Sequence, residues 1–218
     1  EGGDAMRTLL LFGDSNTHGT MPMGDLGLSE RYPRDERWAG RLQRLLPDWE
    51  VINEGHPGRT TVHDDPIEGA HRNSLTVLPA LLESHRPIDV ILIMLGTNDL
   101  KERFSVNAGD IALSLERLVR VVRASGAGPD GQPPGVLLVA PPPILEVGCL
   151  ASMFAGGAAK SRALAAEIAA AAGRTVVPFL DAGQVVAVSP IDGIHFGPEA
   201  NAPLAQAFAA AIRRHFPG

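Results

Sequence analysis

A single cysteine, Cys149, stands in 218 residues, so no disulfide can close within the chain. That excludes a disulfide-stapled scaffold and fits a reducing compartment. No run approaches the roughly 20 consecutive apolar residues of a membrane-spanning helix. The opening Glu1-Gly2-Gly3-Asp4-Ala5-Met6 has no basic stretch followed by an apolar one, so no signal peptide is visible. Met6 reads as the native start, residues 1–5 as added sequence, and the cytoplasm as the expected location. Positive charge is in deficit: 19 Lys and Arg against 25 Asp and Glu give a net charge of −6. That argues against nucleic acid or an anionic membrane as partner. Neither Gly-x-x-x-x-Gly-Lys-Ser/Thr nor Gly-x-Gly-x-x-Gly occurs, and nothing has zinc-motif spacing, so no cofactor and no metal is expected. The acidic loop around His63, Asp64 and Asp65 reads as solvated charge. Gly-x-Ser-x-Gly is missing too, which sets aside the α/β-hydrolase elbow.

What is present is an ordinary globular balance, 44% hydrophobic and 20% charged. The length allows one domain, residues 1–218, with a full core. Apolar runs alternate with helical patterns. Strands are expected at Leu9–Phe12, Glu50–Glu54, Asp89–Leu95, Val136–Ala140 and Val176–Leu180. The third is the most continuously apolar, as a central parallel strand covered on both faces should be. Helices are expected at Glu36–Leu46, Leu75–His85, Asn107–Ser125, Ala158–Ala172 and Pro198–Phe216. Asn107 and Asp110 would cap the start of the third of these, and Gly126 its end. Gly173 would end the fourth, and Pro198 would open the last. Strands interleaved with helices predict a three-layer α/β/α sandwich. The segments 20–35 and 144–157 carry no regular pattern and are expected to supply pocket walls or subunit contacts.

Four short stretches carry chemistry. Gly13-Asp14-Ser15-Asn16 follows the first strand, at the end of a parallel strand where ligands bind. A serine there is a candidate nucleophile, although serine is also a common helix N-cap. A serine hydroxyl needs a base, and the base needs an orienting group. Asp192-Gly193-Ile194-His195 offers both, three residues apart. Six other histidines compete with His195, but it is the Asp192 spacing that singles it out. Asp14 is the rival acid, better suited to binding nearby backbone amides. Leu95-Gly96-Thr97-Asn98-Asp99 places an amide past the central strand, where it either closes a turn or donates to an oxyanion. Gly55-His56-Pro57-Gly58-Arg59-Thr60-Thr61 is a glycine-containing turn after the second strand. Cys149 has no histidine near it in sequence and is a weak nucleophile candidate.

In this order the four stretches resemble those of the SGNH (GDSL-type) hydrolases, and the resemblance spans the chain. Arg59-Thr60-Thr61, Ile93-Met94-Leu95-Gly96-Thr97-Asn98-Asp99 and Asp192-Gly193-Ile194-His195-Phe196 look like the small arylesterase and acyltransferase subgroup. The resemblance implies a flavodoxin-like five-stranded parallel sheet of order 2-1-3-4-5. It implies Ser15 as nucleophile, His195 as base and Asp192 as its acid. It implies an oxyanion hole from the N–H groups of Ser15 and Gly58 and the Asn98 amide, with Gly58 rather than Gly55 as the donor. The first block departs from the commonest Gly-Asp-Ser-Leu pattern at Asn16. With His18 and Thr20 this gives a polar set of pocket candidates, joined by Phe154 and Ile194. These side chains either line a polar mouth or face away from it. The implied activity is hydrolysis of a small-molecule ester with a short acyl group, with acyl transfer or perhydrolysis where another acceptor outcompetes water. A homo-oligomer is expected. The alternatives are a carbohydrate acetyl esterase and, from another class, a non-catalytic binding module on the same fold.

Overall fold

The computed structural model describes residues 6–218. The reading of residues 1–5 as added sequence lies outside the described residues. Five parallel strands form one sheet: β1 (Arg7–Gly13), β2 (Trp49–Gly55), β3 (Val90–Met94), β4 (Gly135–Ala140) and β5 (Phe179–Asp181). Their order is β2-β1-β3-β4-β5, the flavodoxin-like order. Among the described residues six α-helices accompany them: α1 (Ser15–His18), α2 (Trp38–Leu45), α3 (Ser74–His85), α4 (Ala108–Ala124), α5 (Gly157–Thr175) and α6 (Asn201–His215).

The period of two along each strand divides the core into two layers. Leu10 and Phe12 of β1, with Ile91 and Ile93 of β3, face α3, α4 and α5 through Leu82, Leu115 and Ile168. Leu9 and Leu11, with Val90 and Leu92, face α2 and α6 through Trp38, Leu42 and Phe208. Trp38 meets Phe208 edge to face at 4.8 Å. Both faces of β1 and β3 are therefore dry, which is why their sequences are continuously apolar rather than alternating.

Register places the site. Gly13 pairs with Gly55 of β2 and with Met94 of β3. The carboxyl ends of the three strands are level, and the chain leaves all of them on one edge of the sheet.

Two boundaries differ from the sequence expectation for a shared reason. Helix α5 runs through Gly173 to Thr175, and the last strand begins at Phe179 rather than Val176. A Cβ at Gly173 would meet nothing within 4 Å, so the position is open within the helix. The Thr175 hydroxyl donates to the Ala171 carbonyl at 2.7 Å. Val176 then turns left-handed at φ 54° as the helix cap, and is exposed. Pro178 has no N–H for the ladder; its carbonyl accepts from Leu138 N instead, at 3.0 Å. The capping box of Asn107 and Asp110 on α4 forms as expected, and Gly126 follows its end at φ 58°.

Candidate active site

Ser15 is the first residue of α1, directly past β1. The cap is Asp14, whose Oδ1 accepts from Asn16 N at 2.9 Å. Gly19 closes the single turn at φ 100°, and its N–H donates to the Ser15 carbonyl. Gly13 has no room for a side chain, since a Cβ there would stand 2.0 Å from Thr17 Oγ1. The turn thus holds Ser15 at the lip of the sheet with little freedom.

His195 reaches Ser15 from the far end of the chain. Its Nε2 lies 3.0 Å from Ser15 Oγ, and its Nδ1 lies 2.6 Å from Asp192 Oδ2. The three-residue spacing works as a local device. Asp192 Oδ1 accepts from Ile194 N and from His195 N, each at 2.9 Å, so the loop folds back on its own carboxylate. Gly193 makes the bend at φ 74°, where a Cβ would stand 2.1 Å from the Leu145 carbonyl. Met23 N donates to Asp192 Oδ2 at 2.8 Å. Asp192 is fully buried. Burial alone would raise its pKa, but the hydrogen bond and charge of His195 and the two flanking amides outweigh it and hold the value at about 2. With one carboxylate oxygen on Nδ1, Nε2 is left to face the serine.

The rival acid does something else. Asp14 is buried, and desolvation pushes its pKa up to about 6, against the pull of Asn16 N and the charges of His195, Arg59 and Lys101. Its Oδ2 lies 3.4 Å from Asn98 Nδ2. It caps α1 and faces the amide, while Asp192 holds the imidazole.

Asn98 leaves β3 through Gly96, which stands at φ 124°. Its Nδ2 also donates to the Arg59 carbonyl at 3.1 Å. Gly58 sits in the turn after β2 at φ 77° with the Arg72 side chain laid over it. Ser15, His195, Gly58 and Asn98 share one cleft of about 280 Å³. Its apolar wall comes from Leu150, Met153, Phe154 and Ile194. Leu150 and Met153 belong to the 144–157 segment, whose lack of pattern hid them. Met23 and Leu26 bring in the 20–35 loop.

Among the pocket candidates, Thr20, Phe154 and Ile194 line this cleft, and Asn16 and His18 do not. Asn16 is buried behind the serine. Its Nδ2 donates to the Ile194 carbonyl at 3.0 Å, and its own carbonyl accepts from Trp38 Nε1 at 2.7 Å. It ties the first block to the last. His18 lies near Arg31 and Arg37, and its carbonyl accepts from Arg31 Nε at 2.8 Å. Burial, then the Arg31 charge, lowers its pKa. Of the three polar side chains whose orientation the sequence left open, only Thr20 lines the cleft.

Two features escaped the sequence reading. Lys101 lines the cleft and is buried, with Arg103 beside it against Asp65 and Glu68. Burial is unfavourable for the Asp65 carboxylate, but the Glu68 amide and Arg103 hold its pKa well below the usual range. Of the loop charge expected to be solvated, Asp64 is exposed, whereas Asp65 is buried in an ion cluster beside the cleft. His63 lies 3.4 Å from Asp99 and stacks on Phe104. No group of three or more His, Cys, Asp or Glu among the described residues could hold a metal ion. Cys149 donates to the Met23 carbonyl at 3.4 Å. No helix among the described residues is long and apolar enough to cross a membrane.

This geometry agrees with what the chain is similar to. The profile of the GDSL-like lipase/acylhydrolase family matches residues 11–202. The aryl esterase of M. smegmatis, in its inhibitor-bound form, superposes with a TM-score of 0.91 at 40% identity, covering 96% of this chain and 100% of that one. Est24, a carbohydrate acetylesterase from Sinorhizobium meliloti, gives 0.90 at 39% identity over 96% and 100%. No curated protein sequence matches significantly. A hydrolase fold with the strand order, the block order and these relatives leaves one assignment: the chain belongs to the GDSL-like (SGNH) lipase/acylhydrolase family, among its arylesterase-like members.

Proposed function

We propose that this protein is a serine carboxylic-ester hydrolase for small esters with short, acetyl-type acyl groups. One observation carries the reading: the unbroken line Asp192–His195–Ser15, at 2.6 and 3.0 Å, opening into a cleft that Gly58 and Asn98 also line. Ser15 Oγ attacks the ester carbonyl as His195 Nε2 takes its proton. The carbonyl oxygen becomes an oxyanion held by Ser15 N–H, Gly58 N–H and the Asn98 amide. His195 returns the proton to the leaving alcohol, and the acyl group stays on Ser15 Oγ. Water, deprotonated by His195, then attacks the acyl-enzyme and releases the carboxylic acid. Asp192 stays ionised throughout and stabilises the imidazolium.

The acyl preference rests on volume. About 280 Å³ closed by Phe154, Met153 and Leu150 suits a small acyl group with its alcohol. The same apolar wall would disfavour water at the acyl-enzyme, so an alcohol or peroxide acceptor would turn hydrolysis into acyl transfer or perhydrolysis. A carbohydrate acetyl esterase is the second reading, supported by the likeness to Est24. Rapid deacetylation of acetylated sugars relative to aryl acetates would favour it. A homo-oligomer belongs to the same proposal, since Leu26 and Leu28 stand exposed in the 20–35 loop, at 60% and 64%.

The test is hydrolysis of p-nitrophenyl acetate against the octanoate, with Ser15→Ala alongside. Acetate turnover that disappears in the variant is expected. Turnover mainly of octanoate would overturn the short-acyl claim. Equal activity in variant and wild type would move the non-catalytic binding module to the front.

A further inference from the structure

Three loops from three strands must keep their oxyanion donors at one spacing. Of the proposed reacting groups, Asn98 bridges them in part, its Nδ2 3.4 Å from Asp14 Oδ2 and 3.1 Å from the Arg59 carbonyl. Arg59 also touches all three loops, and it is buried, 4% exposed. Its Nη1 donates to the Gly13 carbonyl at 3.1 Å and to the Glu54 carbonyl. Gly13 immediately precedes Asp14 and Ser15, and Glu54 lies one residue before the end of β2, paired with Phe12 in the register. The guanidinium lies over the Phe12 ring at 4.3 Å. At the other end of the same residue, the Arg59 carbonyl accepts from Asn98 Nδ2 at 3.1 Å. The backbone N–H of Arg59 donates to the His56 carbonyl at 3.1 Å and closes the turn that holds Gly58.

A buried guanidinium carries a desolvation cost; two backbone carbonyls, one ring face and the charges of Glu54 and Asp14 offset part of it, and burial still lowers its pKa to about 10. Lysine would keep a point donor for these carbonyls but would lose the flat guanidinium that lies over the Phe12 ring. An apolar side chain would leave both carbonyls with fewer donors at the point where the sheet opens to the cleft.

We propose that Arg59 is the positioning residue of the oxyanion site: it locks the Ser15, Gly58 and Asn98 loops into one frame through Gly13, Glu54 and the Asn98 amide. Arg59 does not line the cleft and touches no reacting atom; it acts through Asn98 and the Gly58 turn. The proposal rests on the reading that those groups stabilise an oxyanion.

The experiment is a double-mutant cycle. Arg59→Met and Arg59→Lys are each made in the wild type and in Asn98→Ala, and kcat and KM for p-nitrophenyl acetate are measured beside the thermal midpoint. Removing one oxyanion donor costs ~10²–10³ in kcat, and a displaced donor should approach that loss. Arg59→Met is therefore expected to lower kcat ~10²-fold with KM changed less than about threefold. In the Asn98→Ala background the same substitution should lower kcat less than about tenfold, because one of the groups it positions is gone. Arg59→Lys should recover part of the loss, and it carries the cycle alone should Arg59→Met fail to fold. Equal losses in both backgrounds, or a rise in KM with kcat unchanged, would overturn the proposal. Ser15→Ala separates the two claims. If it is inactive while the Arg59 variants keep full kcat, only the positioning role falls. If it stays active, the catalytic reading falls first.

Discussion

Asp192→Asn changes one atom and separates stability from chemistry. The carboxylate oxygens accept four hydrogen bonds: from Ile194 N, His195 N, Met23 N and His195 Nδ1. An amide has only one acceptor oxygen. If that oxygen keeps the two loop amides, the NH2 faces Met23 N and His195 Nδ1, and the imidazole must turn its proton to Nε2. That is the wrong tautomer for accepting a proton from Ser15, and such a change costs ~10⁴ in kcat in serine–histidine–aspartate triads. If the amide flips, it loses the two loop hydrogen bonds instead. Stability follows from the pKa. The carboxyl is depressed from its ordinary 3.8 to about 2, so ionised Asp192 favours the folded state by on the order of 2 kcal/mol. The contribution is complete well above pH 4 and is lost as pH falls through the folded value, shrinking to roughly half near pH 3. Urea melts of both proteins at pH 7 and pH 3, with p-nitrophenyl acetate kinetics at pH 7, read both effects. A stability gap that does not narrow at pH 3 would refute the ionic account. A kcat within tenfold of wild type would refute the tautomer account.

The other predictions concern the same loops. Gly58→Ala forces an L side chain to φ 77° and sets its Cβ 3.0 Å from Arg72 Nε. The left-handed backbone alone costs ~1–2 kcal/mol, and kcat should fall well beyond what the change in thermal midpoint explains. Retained kcat would remove Gly58 from the oxyanion site. Asp14→Asn keeps an acceptor for Asn16 N and discards a buried charge. Since the Asp14 pKa is raised from 3.8 to about 6, wild type gains most from this group below pH 3.8 and loses it as pH rises through 6, on the order of 3 kcal/mol by pH 8. The variant should therefore gain on wild type between pH 4 and pH 7 in midpoint scans and stay level above; a flat difference counts against the raised value. Light scattering tests the oligomer, and a monomer at micromolar concentration would remove it.

The fold was legible because its signals are local. A strand covered on both faces must be apolar throughout, and β3 announces itself for that reason. The capping box of Asn107 and Asp110 lies within four residues. The Asp192–His195 pair was legible because its members form one turn of chain, a spacing visible without a structure. What failed was anything set by contact at a distance. Whether Asn16 lines the pocket or faces away stayed open in the sequence, because its amide is taken by the Ile194 carbonyl, 178 residues away. Arg59 stood in a recognised block with no assigned task, because its partners are two backbone carbonyls, which sequence does not distinguish. Val176 and Val177 look like strand, and only the continuation of α5 through Gly173 shows why they are not.

The site lies where the sheet order demands. Past β1 the chain runs to α2 on one face of the sheet, and past β3 to α4 on the other. Loops leaving adjacent strands for opposite faces open a crevice between them, and Ser15 and Asn98 are its two lips. β5 lies three strands from β1, so the histidine cannot arrive by the sheet alone. The chain after β5 returns across the crevice, and the first block with the 20–35 loop holds it there: Asn16 to the Ile194 carbonyl, Met23 N to Asp192, and the Tyr32 hydroxyl to the Phe196 carbonyl at 2.8 Å. All three holding groups come from Asn16 to Tyr32, the stretch that begins beside the serine. The 20–35 loop is long because it must reach Asp192 as well as wall the cleft. Shortening it should therefore uncouple His195 from Ser15, lowering kcat before it alters which acyl group is preferred.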